Sequence, residues 1–157
     1  MRPEQAFDSI RRGFADERLA HAFIIAAPPR SSGGEFADRV LQLVLCESDD
    51  RPCGRCRGCR EAREHTHPDL MWVEPRKKSR LISVDQVREL NRRAFRTAFK
   101  GGWRAYVIVG ADRMGVAAAN AFLKTLEEPP ARSVFMLLTE SPQFLLPTIA
   151  SRCQTIT

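Results

Sequence analysis

The sequence predicts an α/β fold in which a parallel sheet is sandwiched between helices. Three observations carry this. Apolar runs and helical patterns alternate along the chain, as βα units do. The apolar runs (HAFIIAA, AYVIV, VFMLL) are continuous instead of alternating, which marks strands buried on both faces. At 157 residues and 43 % hydrophobic content, the chain is large enough for one core and too apolar for disorder.

The elements follow in order. Residues Glu4 to about Phe14 read as an amphipathic helix with Ala6, Phe7 and Ile10 on its apolar face. His21–Ala27 is the first buried strand. After the turn PPRSSGG, a second helix runs from about Glu35 to Leu45, with Phe36, Val40, Leu43 and Val44 at helical spacing. A cysteine-rich segment precedes a short strand, Leu70–Val73. Ser83 opens the next helix, and Gln86 three residues on completes a capping box. Val84, Val87, Leu90 and Ala94 form its inner face, and Gly101-Gly102 closes the segment. Ala105–Val109 is a strand, and Ala117–Glu128 a helix stopped by Pro129-Pro130. Val134–Leu138 is a strand. A short helix with Leu145, Leu146 and Ile149 leads to a last strand near Gln154–Ile156. No apolar run reaches the ~18 residues of a membrane span, and the start lacks a signal-peptide pattern. The expected location is the cytoplasm. A chain that stops straight after its last strand suggests a further domain.

Cys46, Cys53, Cys56 and Cys59 have the spacing C-x6-C-x2-C-x2-C. In a reducing compartment such clustering points to metal and not to disulfides. Four thiolates fill the tetrahedron that Zn²⁺ prefers and leave no position for water, so the site is read as structural zinc. Free thiols, a redox pair and iron–sulfur ligation are the other readings. Pro52, Gly54 and Gly58 are expected to supply turns, and Arg55, Arg57 and Arg60 to soften the thiolate charge. The segment should stand out from the core as a knuckle. His65 and His67 are not needed as ligands. Cys153 reads as a small buried residue.

The strand–turn–helix at 22–45 lies where a P-loop protein places G-x-x-x-x-G-K-[ST]. Here Ala27 and Ser32 hold the glycine positions, Gly33 the lysine position and Gly34 the Ser/Thr position. Without the lysine nothing neutralises the β/γ-phosphates, and without the hydroxyl Mg²⁺ loses a ligand. The acidic pair expected after AYVIV is replaced by Val109 and Gly110; Asp112 is displaced from that place. Both losses argue against hydrolysis, and no ATP is expected at this site.

HAFIIAAP, the four-cysteine loop, HPDL (67–70), AAANAFLKTLEEPP (117–130) and LLPTIASRCQ (145–154) occur in this order. Together they resemble the bacterial DNA polymerase III clamp-loader subunits, which are AAA+ proteins. The gamma/tau branch has an intact P-loop and the delta-prime branch a ruined one. Gly33, Gly34, Val109 and Gly110, with ISVDQVREL (82–90), align this chain with delta-prime. The resemblance implies an AAA+ P-loop-type core over residues 1–157 with a zinc module at 46–60, and lid and collar domains beyond 157. It implies a ring with gamma/tau and delta-type subunits that loads a sliding clamp on primed DNA. It implies that Arg152 of Ser151-Arg152-Cys153 is an arginine finger for a neighbour's ATP; a lone arginine there otherwise reads as a surface ion pair. Thr139 holds the family's sensor position and reads as a strand-end cap. Asn120, Lys124 and Glu127 read as structural or interface groups. Without the collar this piece is expected to be a monomer. A working ATPase of gamma/tau type and a stand-alone zinc-containing nucleic-acid module are the alternatives.

The net charge is +6 and uneven: residues 51–104 hold 15 Lys/Arg against 6 Asp/Glu. Four thiolates on one Zn²⁺ would bring the total to about +4. Arg88, Arg92 and Arg96 share one helix face, with Arg76, Lys77, Lys78 and Arg80 nearby. Like charges at i,i+4 repel, and nucleic-acid phosphates would offset that cost. The stripe reads equally as a solvated face.

Overall fold

A computed structural model describes residues 2–96 and 102–157. The elements are α1 (Pro3–Ala15), β1 (Ala22–Ala26), α2 (Ser32–Leu45), α3 (Arg57–Glu64), β2 (Leu70–Val73) and α4 (Val84–Ala94), then β3 (Arg104–Val109), α5 (Val116–Glu127), β4 (Ser133–Thr139), α6 (Pro147–Ala150) and β5 (Gln154–Ile156). All strand pairs are parallel, in the order β2-β3-β4-β1-β5.

Alternate residues of each central strand feed two cores, because successive side chains of a strand point to opposite faces. Phe23, Ile25, Val107, Val109, Met136 and Leu138 pack with α1, α2 and α3. Ala22, Ile24, Tyr106, Ile108, Phe135 and Leu137 pack with α4, α5 and α6. The result is the predicted three-layer sandwich. On the second face Tyr106 stacks on Phe135 at 4.9 Å between ring centroids, and Phe122 meets Phe135 edge-on at 5.7 Å. Asn91 and Thr125 join α4 to α5 through a 2.6 Å hydrogen bond beneath the surface. No helix among the described residues is long and apolar enough to cross a membrane.

The capping box of α4 forms as expected. Ser83 Oγ accepts from the Gln86 N–H at 3.2 Å, and Gln86 Oε1 accepts from the Ser83 N–H at 2.8 Å. The helix ends at Ala94, well before Gly102; Gly101 lies outside the described residues. Helix α2 starts at Ser32 and not at Glu35, so Gly33 and Gly34 are its first turn. A sequence-based boundary there counts glycine as loop because of its weak helix propensity, but the backbone above these two residues leaves no room for a side chain. The cysteine segment also differs from expectation, since its second half is a helix, α3, packed on α2 with Ala62 fully buried.

Candidate functional sites

The parallel sheet has two ends, and the sites divide between them. At the carboxyl ends of β1, β3 and β4 lies the phosphate-loop position, where open α/β sheets bind ligands. Pro28 and Pro29 have no N–H to offer. The N–H groups of Ser31 and Gly33 both turn inward onto the Pro28 carbonyl, at 3.2 and 2.9 Å. A Cβ on Gly33 would lie 2.9 Å from Pro28 O, and one on Gly34 would lie 2.6 Å from Pro29 O. The loop's own carbonyl oxygens therefore occupy the space above the helix start, and they are the wrong charge for phosphate.

The neighbouring strand ends are committed in the same way. Gly110 takes a left-handed backbone (φ +70°), where a side chain is strained. Thr139 is fully buried; its Oγ1 donates to Asp112 Oδ1 at 2.6 Å and accepts from the Ser141 N–H at 2.9 Å. The strand-end cap expected of Thr139 is formed, with Asp112 as its second partner.

Arg152 lies at the other end of the sheet, in the turn between α6 and β5. Phe23 of β1 pairs with Gln154 of β5, so Arg152 is level with the residue before β1. The five residues of β1, roughly 16 Å of strand, separate that level from Ala27. Arg152 Nη1 donates to the Thr148 carbonyl at 2.8 Å, and Nη2 pairs with Glu127 Oε1 at 3.5 Å. Asn120, Lys124 and Glu127 are all exposed on α5. Cys153 is half-buried and not buried as expected, because β5 is a sheet edge with a partner on one side only. Burial still pushes its thiol up to about 11.

The four cysteines come together between α2 and α3, with their sulfurs all within 4.8 Å of one another. Cys46 Sγ and Cys56 Sγ are 3.8 Å apart, and Cys53 Sγ and Cys59 Sγ 4.0 Å. A tetrahedron with ~2.3 Å Zn–S bonds has edges of ~3.8 Å. Six backbone N–H groups point at the sulfurs: Ser48 at Cys46, Arg55 and Cys56 at Cys53, Glu47 and Cys59 at Cys56, and Gly54 at Cys59, at 3.3–3.5 Å. Such donors stabilise thiolates. At Cys56, burial raises the thiol, but the Glu47 and Cys59 amides outweigh it and bring it down to about 6. At Cys53 the Arg55 and Cys56 amides lower it; at Cys59 burial dominates and pushes it up to about 12. Distances and donor set both fit a tetrahedral metal ion.

Two expectations for this segment change. The charge of the sulfurs is met by backbone amides, whereas Arg55, Arg57 and Arg60 are exposed, with Arg57 paired to Glu61 at 3.3 Å. Gly58 does not form a turn: it lies in the first turn of α3, and a Cβ there would overlap the Leu45 carbonyl at the end of α2. Gly54, at φ +78°, does form one. The knuckle is seated by its inner half: Cys46 and Cys59 are 3 % and 0 % exposed, while Cys53 and Cys56 are half-buried and Asp49, Asp50 and Arg55 exposed. Burying Ala62 and Cys59 ties this inner half to the body of the domain.

Residues that sequence reasoning passed over hold it there. His65 Nε2 lies 2.7 Å from Asp38 Oδ1 on α2, and its ring stacks on Trp72 of β2 at 3.7 Å. Arg63 Nη1 donates to Gly54 O at 2.7 Å, and Arg51 donates to the Leu43 and Val44 carbonyls that end α2. No sequence signal pairs positions 38, 65 and 72. The Leu43 and Val44 carbonyls, as the free acceptors that end every helix, were the one available hint for a basic partner such as Arg51.

Arg88 and Arg92 are exposed on α4, but each has an acid one turn back: Asp85 at 3.4 Å and Glu89 at 2.7 Å. The stripe's self-repulsion is thus already offset within the helix. Arg96, also exposed, lies past the helix end.

The profile of the family described as "DNA polymerase III, delta subunit" matches residues 2–157. "DNA polymerase III subunit delta'" of Escherichia coli K12 is 36 % identical over 156 residues, covering 98 % of this chain and 46 % of that protein. The protein of the same name from Haemophilus influenzae is 39 % identical over 141 residues, covering 88 % of this chain and 43 % of its own length. The chain thus spans less than half of these relatives. A crystal structure of a DNA polymerase III, gamma subunit-related protein from Thermotoga maritima superimposes with a TM-score of 0.68 at 23 % identity, over 96 % of this chain and 44 % of the other; it supports the fold alone. With a profile match running through both sheet ends and the cysteine site, the chain belongs to the DNA polymerase III, delta subunit family.

Proposed function

We propose that this chain is the core of a non-hydrolysing clamp-loader subunit, which acts by donating Arg152 to an ATP site on a neighbouring gamma/tau-type subunit. The observation that carries the reading is the separation of the two sheet ends. The phosphate-loop position is filled by its own carbonyls, and the candidate finger stands a strand length away from it, facing another edge of the domain. An arginine so placed serves a nucleotide on another chain or none. There its guanidinium would spread over γ-phosphate oxygens and stabilise the charge that develops as the phosphoryl group leaves.

In this reading a structural Zn²⁺ held by Cys46, Cys53, Cys56 and Cys59 supplies only cross-linking of the segment. The 1–157 core carries its zinc module from Cys46 through α3, and lid and collar domains complete the full subunit. The sliding clamp and primed DNA are reached through the assembled ring, and Arg88, Arg92 and Arg96 form a candidate contact with the DNA backbone.

The test is Arg152→Ala in the full-length subunit, assembled into a loader. ATP turnover at the adjoining partner site should fall by about 100-fold or more, with ring assembly unchanged by gel filtration. Normal turnover there would remove the finger role. Tight Mg-ATP binding by this chain alone would instead favour an active ATPase.

A further inference from the structure

We infer that Glu127 is a positioning residue for Arg152, holding the guanidinium in place before any nucleotide arrives. The inference rests on the finger reading above and adds to it the group that aims the finger. Glu127 is the last residue of α5, and Glu128 follows at the helix C-cap. Two carboxylates at that end face the negative pole of the helix dipole, so they work against the helix they close. Helix stability does not account for Glu127. Its observed partner does: Glu127 Oε1 lies 3.5 Å from Arg152 Nη2 across the gap between α5 and the turn after α6.

The arginine is held from two sides. Nη1 donates to the Thr148 carbonyl at 2.8 Å, within its own turn, and Nη2 faces Glu127 on the other element. A contact from its own turn alone would leave the planar group free to swing; the second, from a separate helix, restricts its orientation. A guanidinium has five N–H donors, so these contacts, with a third from Nη1 to Ser151 Oγ at 3.5 Å, leave others for a phosphate. The side chain is 36 % exposed, and it borders an open depression of about 630 Å³ shared with His21, Glu127 and Cys153. A group placed beforehand loses less freedom when it meets the transition state, and this difference enters kcat more than KM.

The experiment compares Glu127→Ala, Glu127→Gln and Arg152→Ala in the full-length subunit within the assembled loader, reading kcat and KM for ATP at the partner site and the thermal midpoint of the subunit. Glu127→Ala should lower kcat by about two- to five-fold, the scale of one exposed ion pair, with KM unchanged and the midpoint equal or raised. Glu127→Gln, which keeps an acceptor oxygen but loses the charge, should give a smaller fall in kcat than Glu127→Ala. An unchanged or raised kcat in Glu127→Ala, with Arg152→Ala inactive, overturns the positioning role and leaves the finger standing. A fall in kcat accompanied by a lowered midpoint overturns it in favour of a structural role. Full activity in Arg152→Ala removes the finger and the inference with it.

Discussion

The loops at 27–34 and 46–59 make opposite use of the same material. Each adjoins an end of α2, each contains proline and glycine, and each directs backbone N–H groups into a small volume. In the first, the donors meet the Pro28 carbonyl of the loop itself, and the volume is filled. In the second, six donors meet four sulfurs whose spacing leaves a tetrahedral centre. Position in the fold therefore does not decide what a loop binds. What decides is whether its amides point at its own oxygens or at side chains that can share a ligand.

Metal removal should have the largest effect. With a metal held there, chelation would leave four sulfurs to repel one another or take up protons, and structural zinc supplies roughly 10 kcal/mol in small zinc domains. Hydrogen exchange should rise throughout residues 46–65 and at the end of α2, with β1, β3 and β4 still protected. Loss of protection in those strands would mean that the two loops are not separable units.

Gly58→Ala is the next largest perturbation. Its Cβ meets backbone, which cannot rotate away, so a loss of about 3 kcal/mol is expected in denaturant unfolding, along with reduced metal content. An unperturbed midpoint would mean that α3 is not seated on the end of α2.

Restoring the missing phosphate-loop residues tests the other side. Gly33→Lys with Gly34→Thr puts back the lysine and hydroxyl, yet both new Cβ atoms press on the Pro28 and Pro29 carbonyls. The double variant should lose about 1–3 kcal/mol and gain no binding of a fluorescent ATP analogue. Gained binding would show that the missing side chains, not the filled backbone, were the obstacle.

The smallest effect concerns the basic stripe. Because Asp85 and Glu89 already partner Arg88 and Arg92, Arg88→Ala with Arg92→Ala should lower the salt slope of DNA binding by the assembled loader by less than the two units that two free phosphate contacts would give. A drop of two or more would mean that DNA displaces those acids.

Much of the fold was legible because its signals are local. Continuous apolar runs located four of the five described strands within a residue or two, and the Ser83–Gln86 capping box works over three residues. The cysteine spacing did the same for the metal site, since each C-x2-C step is a single turn. The departures from the phosphate-loop pattern at Gly33, Val109 and Gly110 also needed only the strand frame. Misreadings arose where a residue's job is set by something distant. Gly33, Gly34 and Gly58 look like turn glycines, and their reason is a carbonyl passing overhead. Arg55, Arg57 and Arg60 sit beside the cysteines in sequence, yet their side chains point to solvent.

By itself, then, the sequence determined the α/β class, the four-cysteine cluster and the departure from the G-x-x-x-x-G-K-[ST] pattern, because each depends on residue types a few positions apart. Only the tertiary structure decided that the phosphate loop is closed by its own oxygens, that His65 and Trp72 tie the metal segment to the sheet, and that Arg152 stands at the far end of β1 with Glu127 beside it. Those facts depend on which separate elements approach one another and at what distance. That outcome belongs to the packing of the whole domain, and no short stretch of the chain encodes it.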